Sequence, residues 1–464
     1  MIFRRYAYLA FLACQALTPA CARTLSGDWR GALLLPQGAT LPLVLHMKEK
    51  RAGWSASLDS PMQGAFGLAV QDVTLDGKTL TLTLPTLGAR YIAQVNGHDN
   101  SLEGTWYQGT SYLPLTLIQS APAPPPIMSR PQIPHPPFPY RSDEVAFDNP
   151  AGPAHLTGTL TLPAGKGPFP AVLLITGSGL QDRDETIFGH KPFLVWADTL
   201  TRRGIAVLRV DDRQKGGSTG PVSTATTQDF AHDTEAGLTY LQHRKDIDPH
   251  RIGLMGHSEG GIIAPMIAQR DQNVAFIVLL AGPATRGRQI ILAQQDHAAR
   301  QQGNSDAAIA AADTAYNGLM DTLSPDQSQA DADQAAQAFW ARQHPDSPAP
   351  PPQLKVLTSP WMRFYDRYDP APALAKTTCP VLAVIGAKDR QVPPDQTLPA
   401  LKAALARNSQ ATISVLPGLN HLFQKANTGD VSEYARIEED IDPEALSVVG
   451  DWIIAQTARR GITP

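Results

Sequence analysis

The chain runs to 464 residues, 42% of them hydrophobic and 18% charged, the balance of a globular protein with a sizeable core. That length allows roughly two or three domains. A formal charge of −4 with no basic block argues against nucleic acid or an anionic membrane surface as the partner.

The first 22 residues read as an address rather than as part of the fold. Arg4 and Arg5 precede an apolar run, residues 6–17, that is too short to span a bilayer. Ala20-Cys21-Ala22 then fits a small-x-small cleavage site. A cleavable signal peptide is predicted over residues 1–22, giving a periplasmic or secreted protein with no integral membrane association. An uncleaved anchor, or a lipid on Cys21, is the alternative, but Thr18 stands where a lipoprotein signal prefers leucine. Beyond the leader only Cys379 remains, so no internal disulfide is expected. It opens an apolar run, as a buried, inert thiol would. Neither C-x-x-C nor H-E-x-x-H occurs, and no metal site is predicted.

Residues 24–119 read as an all-β unit. LPLVLHM, WSASL, DVTL, TLTLTL, RYIAQV and PLTLI recur about every ten residues, as short strands do. Turn signals such as Asp76-Gly77 and Asn96-Gly97 separate them, which predicts a small barrel or sandwich. Trp29, Trp54 and Trp106 are assigned to its core rather than to a ligand platform. Gly77-Lys78-Thr79 has the look of a phosphate-loop end, but Asp72 occupies the place of the first glycine and a hairpin accounts for the stretch. Residues 120–140 follow as a linker. Nine prolines fall within 121–139, and such a stretch forms neither ladder nor helix. An extended, semi-stiff surface spacer is expected.

From about Ser142 the pattern changes, and residues 141–464 are predicted to form one catalytic domain. AVLLIT (171–176), IAVLRV (205–210), RIGLMG (251–256) and AFIVLLAG (275–282) are apolar runs, as in strands buried on both faces. Helical periodicity fills the intervals at 191–203, 227–243 and 262–270. This alternation predicts an α/β sheet with helices on both faces. Residues 283–378 break the rhythm: they look helical through about Arg342, then pass through a proline-rich turn (345–352) to WMRFYDRY. Strands resume at CPVLAVIG (379–386) and TISVLPG (412–418). The interruption is predicted to be a helical insertion capping the sheet edge. Trp361, Met362, Phe364, Tyr365 and Tyr368 lie at its return, and Trp361, Phe364 and Tyr365 are assigned to the substrate pocket, with the insertion's own core as the alternative.

Two stretches, GGSTG (216–220) and GHSEG (256–260), fit G-x-S-x-G, which holds a nucleophilic serine on a sharp strand-to-helix turn. Context separates them. Ser218 follows the charged stretch DDRQK and is trailed by Pro221, so no helix opens there. Ser258 follows RIGLM directly and precedes GGIIAPMIAQ, which reads as a helix. Ser258 is therefore the candidate nucleophile. His421, in GLNHLF, lies alone among the twelve histidines after Asp389 and just past the last predicted strand. Asp389, in GAKDRQVPP, lies just beyond the strand VLAVIG. The order Ser258…Asp389…His421 is that of the α/β-hydrolase arrangement, with Asp395 as the fallback acid. An oxyanion hole needs backbone N–H groups aimed at the developing charge. Glu259, directly after the nucleophile, and Ser178 or Gly179, in the TGSG loop, are the expected donors.

ITGSGLQDRDE, DDRQKGGSTG, GHSEGG, SPWMRFYDRYDPAPAL with CPVLAVIGAKDRQVP, and LPGLNHLFQ together resemble bacterial exported α/β-hydrolases of the carboxylesterase type, which carry an N-terminal β-domain. The resemblance covers residues 25–460. It implies an α/β-hydrolase fold with a helical cap insertion, preceded by a small all-β domain. It also implies a serine hydrolase that cleaves a small-molecule carboxylic ester through an acyl-enzyme, without a cofactor. The family loop reads DDRG where this chain has Gln214, which puts the backbone shape of that loop in question. The same fold hosts serine peptidases, so an exported aminopeptidase or acyl-peptide hydrolase is the alternative within enzymes. A catalytically inactive ligand-binding protein is the alternative outside them.

Overall fold

The computed structural model describes residues 25–458 apart from 35–39, 51–52, 61–64, 97–99, 109–110, 121–129, 346–349 and 351–353. The leader (1–22), the Asn96-Gly97 turn and most of the 345–352 turn lie outside the described residues.

The amino-terminal unit is all antiparallel: β1 (Gly27–Leu34), β2 (Thr40–Lys50), β3 (Gly53–Ser60), β4 (Ala65–Val70), β5 (Asp72–Asp76), β6 (Thr79–Leu84), β7 (Ala89–Asn96), β8 (Ser101–Gln108) and β9 (Ser111–Ser120). Their order in the sheet is β4-β3-β2-β1-β9-β8-β7-β6-β5, so the two edge strands are consecutive in the chain. The sheet coils back on itself: β3 approaches β5, β4 approaches β6, and the Gln71 N–H between the edge strands bonds to the Thr83 carbonyl. Alternation points Leu80, Leu82 and Leu84 inward, where they meet Trp29, Leu45, Tyr91 and Trp106. Trp54 packs on this core from a half-buried position. Tyr91 is buried whole, with its hydroxyl donating to the Leu102 and Leu115 carbonyls at 2.7 and 2.9 Å. On β2, the His46 ring bridges Asp28 of β1 (Nδ1, 2.7 Å) and Asp59 of β3 (Nε2, 2.8 Å). Burial alone would lower the pKa of this imidazole, but the two carboxylates outweigh it and raise the value.

Residues 130–140 contain no helix or strand, as their prolines dictate. They are nevertheless not a free spacer. The Arg130 guanidinium donates to the Phe188 and Ile437 carbonyls, Gln132 exchanges hydrogen bonds with Asp440 and Ile441, and the Tyr140 hydroxyl donates to Asp198. The composition predicted stiffness and missed these anchors.

The second unit starts with an antiparallel hairpin, β10 (Arg141–Asn149) and β11 (Ala154–Leu162). Then come β12 (Phe169–Ile175), α1 (Pro192–Arg202), β13 (Ala206–Val210), α2 (Thr227–Gln242), β14 (Ile247–His257), α3 (Gly260–Ala268) and β15 (Phe276–Leu280). The insertion supplies α4 (Gly287–Gln301), α5 (Asp306–Asp321), α6 (Gln329–Gln343), α7 (Leu354–Leu357), α8 (Pro360–Arg367) and α9 (Ala371–Lys376). The chain closes with β16 (Val381–Gly386), α10 (Pro394–Ala404), β17 (Ala411–Leu416), α11 (Val431–Tyr434) and α12 (Pro443–Ala458). Strand order is β10-β11-β13-β12-β14-β15-β16-β17, parallel from β13 onward. This is an α/β-hydrolase sheet with a helical cap, preceded by an all-β unit. Alternation along β12 sorts the two faces: Ala171, Leu173 and Ile175 join the core under α2 and α3, while Val172 and Leu174 join the one under α1 and α12. The central position of β14 puts its carboxyl end over the middle of the sheet, where such folds bind ligands.

The backbone at Gln214 adopts a conformation that glycine enters freely. Gln214 takes φ = +65°, the left-handed region, and its side chain donates to the Gly220 carbonyl at 3.2 Å. A side chain at this position therefore carries strain on the order of 1 kcal/mol.

Candidate functional site

Ser258 stands between the last residue of β14 and the first turn of α3, at φ = +53°. A β-carbon at Gly256 would lie 2.0 Å from the Gly260 carbonyl oxygen, and one at Gly260 would lie 2.2 Å from that of Ile175. Only hydrogen fits at either position, so the motif's glycines let strand and helix close around the strained serine. The Ser258 N–H is held by the Leu280 carbonyl at the end of β15, at 2.8 Å.

Ser218, the serine of the other motif, is buried. Its Oγ donates to the Asp211 carbonyl and accepts from the Thr157 N–H, both at 2.9 Å. Those bonds tie a loop to β11 and leave the hydroxyl no reacting partner.

Asp389 follows β16 and His421 follows β17, so adjacent strands deliver both. His421 Nδ1 lies 2.8 Å from Asp389 Oδ2, with both side chains buried. The other carboxylate oxygen, Oδ1, accepts the N–H groups of Gln391 and Val392 at 2.8 Å each. Asp395 is exposed in the first turn of α10 and takes no part.

Ser258 and His421 share the wall of one cavity of about 280 Å³. Ile187, Ile291, Met362, Trp361, Tyr365 and Leu422 give it apolar surface, and Gln181, Gln294, Gln295 and Gln391 give it neutral amides. Of the pocket residues expected from sequence, Trp361 and Tyr365 are present, stacked 5.1 Å apart. Phe364 is not. Residues 361 and 365 share one face of α8, whereas Phe364 turns to another and stacks on Tyr368 against the core.

Among the expected oxyanion donors, Ser178 lines this cavity, and neither its N–H nor that of Glu259 has an acceptor among the described residues. Gly179, at φ = +96°, instead lines a neighbouring cavity of about 50 Å³ together with Asp212 and Glu259. Burial pushes the Asp212 carboxyl up to about 7 in spite of hydrogen bonds from Gln181 and Thr176. Burial also raises the Glu259 carboxyl, which accepts from Thr227 Oγ1 (2.6 Å), Trp361 Nε1 (2.8 Å) and Ser178. Trp361 thus ties the cap to the nucleophile turn.

Sequence reasoning missed Glu185 and His257, which pair at 3.0 Å in the cavity wall, and the four glutamines. Both lie in motifs that carry the resemblance, His257 in GHSEGG and Glu185 at the end of ITGSGLQDRDE, but nothing there marks them as a pair. Among the described residues no group of three or more His, Cys, Asp or Glu is arranged to hold a metal ion, and no helix is long and apolar enough to cross a membrane.

Residues 152–419 match the model of the X-Pro dipeptidyl-peptidase (S15) family. The chain belongs to the S15 family. Esterase EstD of Thermotoga maritima is 28% identical to this S15 member over 301 residues, 64% of this chain and 65% of EstD. The match thus spans just under two thirds of EstD's own length. The putative hydrolase YtaP of Bacillus subtilis is 30% identical over 129 residues, 24% of this chain and 43% of YtaP. A solved Pyrococcus furiosus esterase aligns with a TM-score of 0.43 at 14% identity, over 71% of this chain and 97% of that one. The S15 family is one of serine hydrolases, and the sheet described above is that of an α/β hydrolase.

Proposed function

We propose that the protein hydrolyses carboxylic esters of uncharged acyl groups through an acyl-enzyme. Ser258 attacks the acyl carbon, His421 takes the serine proton and delivers it to the departing alcohol, and Asp389 orients His421 and stabilises its imidazolium. The N–H groups of Glu259 and Ser178 receive the oxyanion. Water then attacks the acyl-enzyme with His421 again as base.

The observation that carries the ester reading is the charge of the cavity wall. Among the described residues Glu185 is the one acidic residue lining it, and that carboxylate is already paired with His257 and the Gly177 N–H. An enzyme that releases dipeptides from a free amino terminus has to hold an ammonium group, and a desolvated ammonium without a partner carboxylate is costly. The apolar and amide wall suits a neutral acyl chain instead. Family membership favours a second reading, release of X-Pro dipeptides. The two separate in one assay: p-nitrophenyl esters of increasing chain length against X-Pro and aminoacyl p-nitroanilides. Faster turnover of the X-Pro anilide than of every ester would reverse the assignment.

Export belongs to the same proposal and rests on the leader motif alone. A mature amino terminus at Arg23 supports it; a retained leader or a lipid on Cys21 in mass spectra overturns it.

A further inference from the structure

Behind Ser258 lies a buried charged pair that the proposed chemistry does not use. Glu185 sits in the loop between β12 and α1, at φ = +52° and 4% exposed. Its Oε1 accepts the Gly177 N–H at 2.7 Å and faces His257 Nδ1 at 3.0 Å. The other ring nitrogen, Nε2, lies 3.1 Å from the carbonyl oxygen of His421. A carbonyl can only accept, so Nε2 carries a proton. Against a carboxylate, Nδ1 needs one too, and an imidazolium satisfies both contacts where either neutral tautomer satisfies one. Burial alone would lower the pKa of His257, but the Glu185 charge, its hydrogen bond, the His421 carbonyl and the Asp389 charge outweigh it and raise the value. The His421 ring lies 4.7 Å away between centroids.

We propose that Glu185 and His257 are positioning residues that fix the oxyanion loop and the His421 loop against Ser258. The assignment rests on Ser258 being the nucleophile. The three attachment points define the role. Gly177 directly precedes Ser178, so anchoring the Gly177 N–H fixes the peptide beside the Ser178 N–H, which has no acceptor among the described residues. The space is tight there: a β-carbon at Gly177 would stand 3.2 Å from Glu185 Oε1 and 3.3 Å from the Ser258 β-carbon. His257 directly precedes Ser258. His421 is then held twice, its ring by Asp389 and its backbone by His257. A buried ion pair is weak evidence for added stability, because desolvation offsets the attraction. Placing three loops that must agree within fractions of an ångström is a use that offset does not remove.

The test compares Glu185→Gln and His257→Gln with the parent enzyme on p-nitrophenyl butyrate. Each variant removes the charge and keeps the side chain polar. The expected result is a 10- to 100-fold lower kcat with KM within about twofold, since the contacts matter in the transition state. Affinity for an alkyl boronic acid, which mimics the tetrahedral intermediate, falls by a similar factor. The double variant loses little beyond either single one, because the two act as a unit. A kcat within threefold of the parent, an unchanged boronate affinity, or a loss that tracks KM or melting temperature overturns the proposal. So does failure of both variants to fold, which would make the pair a folding element. Ser258→Ala in the same series distinguishes the two failures. Activity surviving that change undoes the serine reading, whereas an inactive Ser258→Ala beside unimpaired Glu185 and His257 variants undoes only this one.

Discussion

Replacing Asp389 by asparagine probes the geometry of the site most directly. Asp389 uses both oxygens, Oδ1 for two backbone N–H groups and Oδ2 for His421 Nδ1. An amide has one acceptor end, and the surroundings decide which way it points. Turning its NH₂ toward the Gln391 and Val392 N–H groups would leave two buried donors unpaired, at roughly 1–3 kcal/mol each. The amide oxygen therefore keeps the backbone contacts, and its NH₂ is presented to His421. Nδ1 must then accept, which moves the ring proton to Nε2, the nitrogen that has to receive the serine proton. The expected loss is about 10³–10⁴ in kcat, or about 4–5.5 kcal/mol of barrier, as known for a wrong tautomer in serine hydrolases. The shape of the side chain is conserved, so the melting temperature and KM should hardly move. Steady-state hydrolysis of a p-nitrophenyl ester near neutral pH, paired with thermal melting, reads all three. A folded variant with kcat within tenfold of the parent would refute the reasoning and remove Asp389 from the acid's role.

Ser258→Ala should lower kcat by on the order of 10³-fold or more, while Ser218→Ala should keep most activity and melt at a lower temperature, because its hydroxyl bridges Thr157 and Asp211; the reverse pattern in an ester assay would point to the other motif. Trp361→Ala should change the preference between short and medium acyl esters by ~1–3 kcal/mol in kcat/KM, whereas Phe364→Ala should lower stability and leave the preference alone; a preference shift from Phe364→Ala only would misplace the pocket. In the β-unit, the raised pKa of His46 means its contribution to stability is full below the unfolded value of 6.5 and is lost as pH rises through the folded value. Melting temperatures of the parent and His46→Gln, measured from mildly acidic to mildly alkaline buffer, should differ most on the acid side and converge on the alkaline side.

What the sequence conveyed depended on whether a feature is local. Apolar runs such as AVLLIT and VLAVIG are sufficient to announce buried parallel strands, because a strand covered on both faces has no polar side to hide it. The β10 strand, RSDEVAFDN, is a half-exposed edge and carries no such run, so the antiparallel hairpin went unread. Ser258 was legible because the glycines that permit its turn are its near neighbours in the chain. Glu185 and His257 were not, since 72 positions separate them and nothing in either segment names the other. Phe364 failed for a subtler reason: the aromatic cluster was recognised, but the helix that carries it divides its residues between faces.

The same separation runs through the active site. The proposed reacting groups, Ser258, Asp389 and His421, follow β14, β16 and β17, whereas much of the cavity wall comes from α4 and α8 of the cap. Sheet and cap can therefore change independently, and membership of a family does not by itself determine what the cap admits. Contacts between cap and sheet domain limit that freedom, two of them at the cavity. The Trp361 indole bonds the Glu259 carboxyl, and the Gln294 amide bonds the Gln391 carbonyl beside Asp389. One bond ties the cap to the residue after the nucleophile, the other to the loop of the acid. A cap that moved to accept a larger acyl group would have to break or carry both, and in doing so would disturb the Glu259 and Asp389 loops on which the proposed chemistry depends. The ester proposal therefore predicts that acyl size and turnover are coupled through those two side chains.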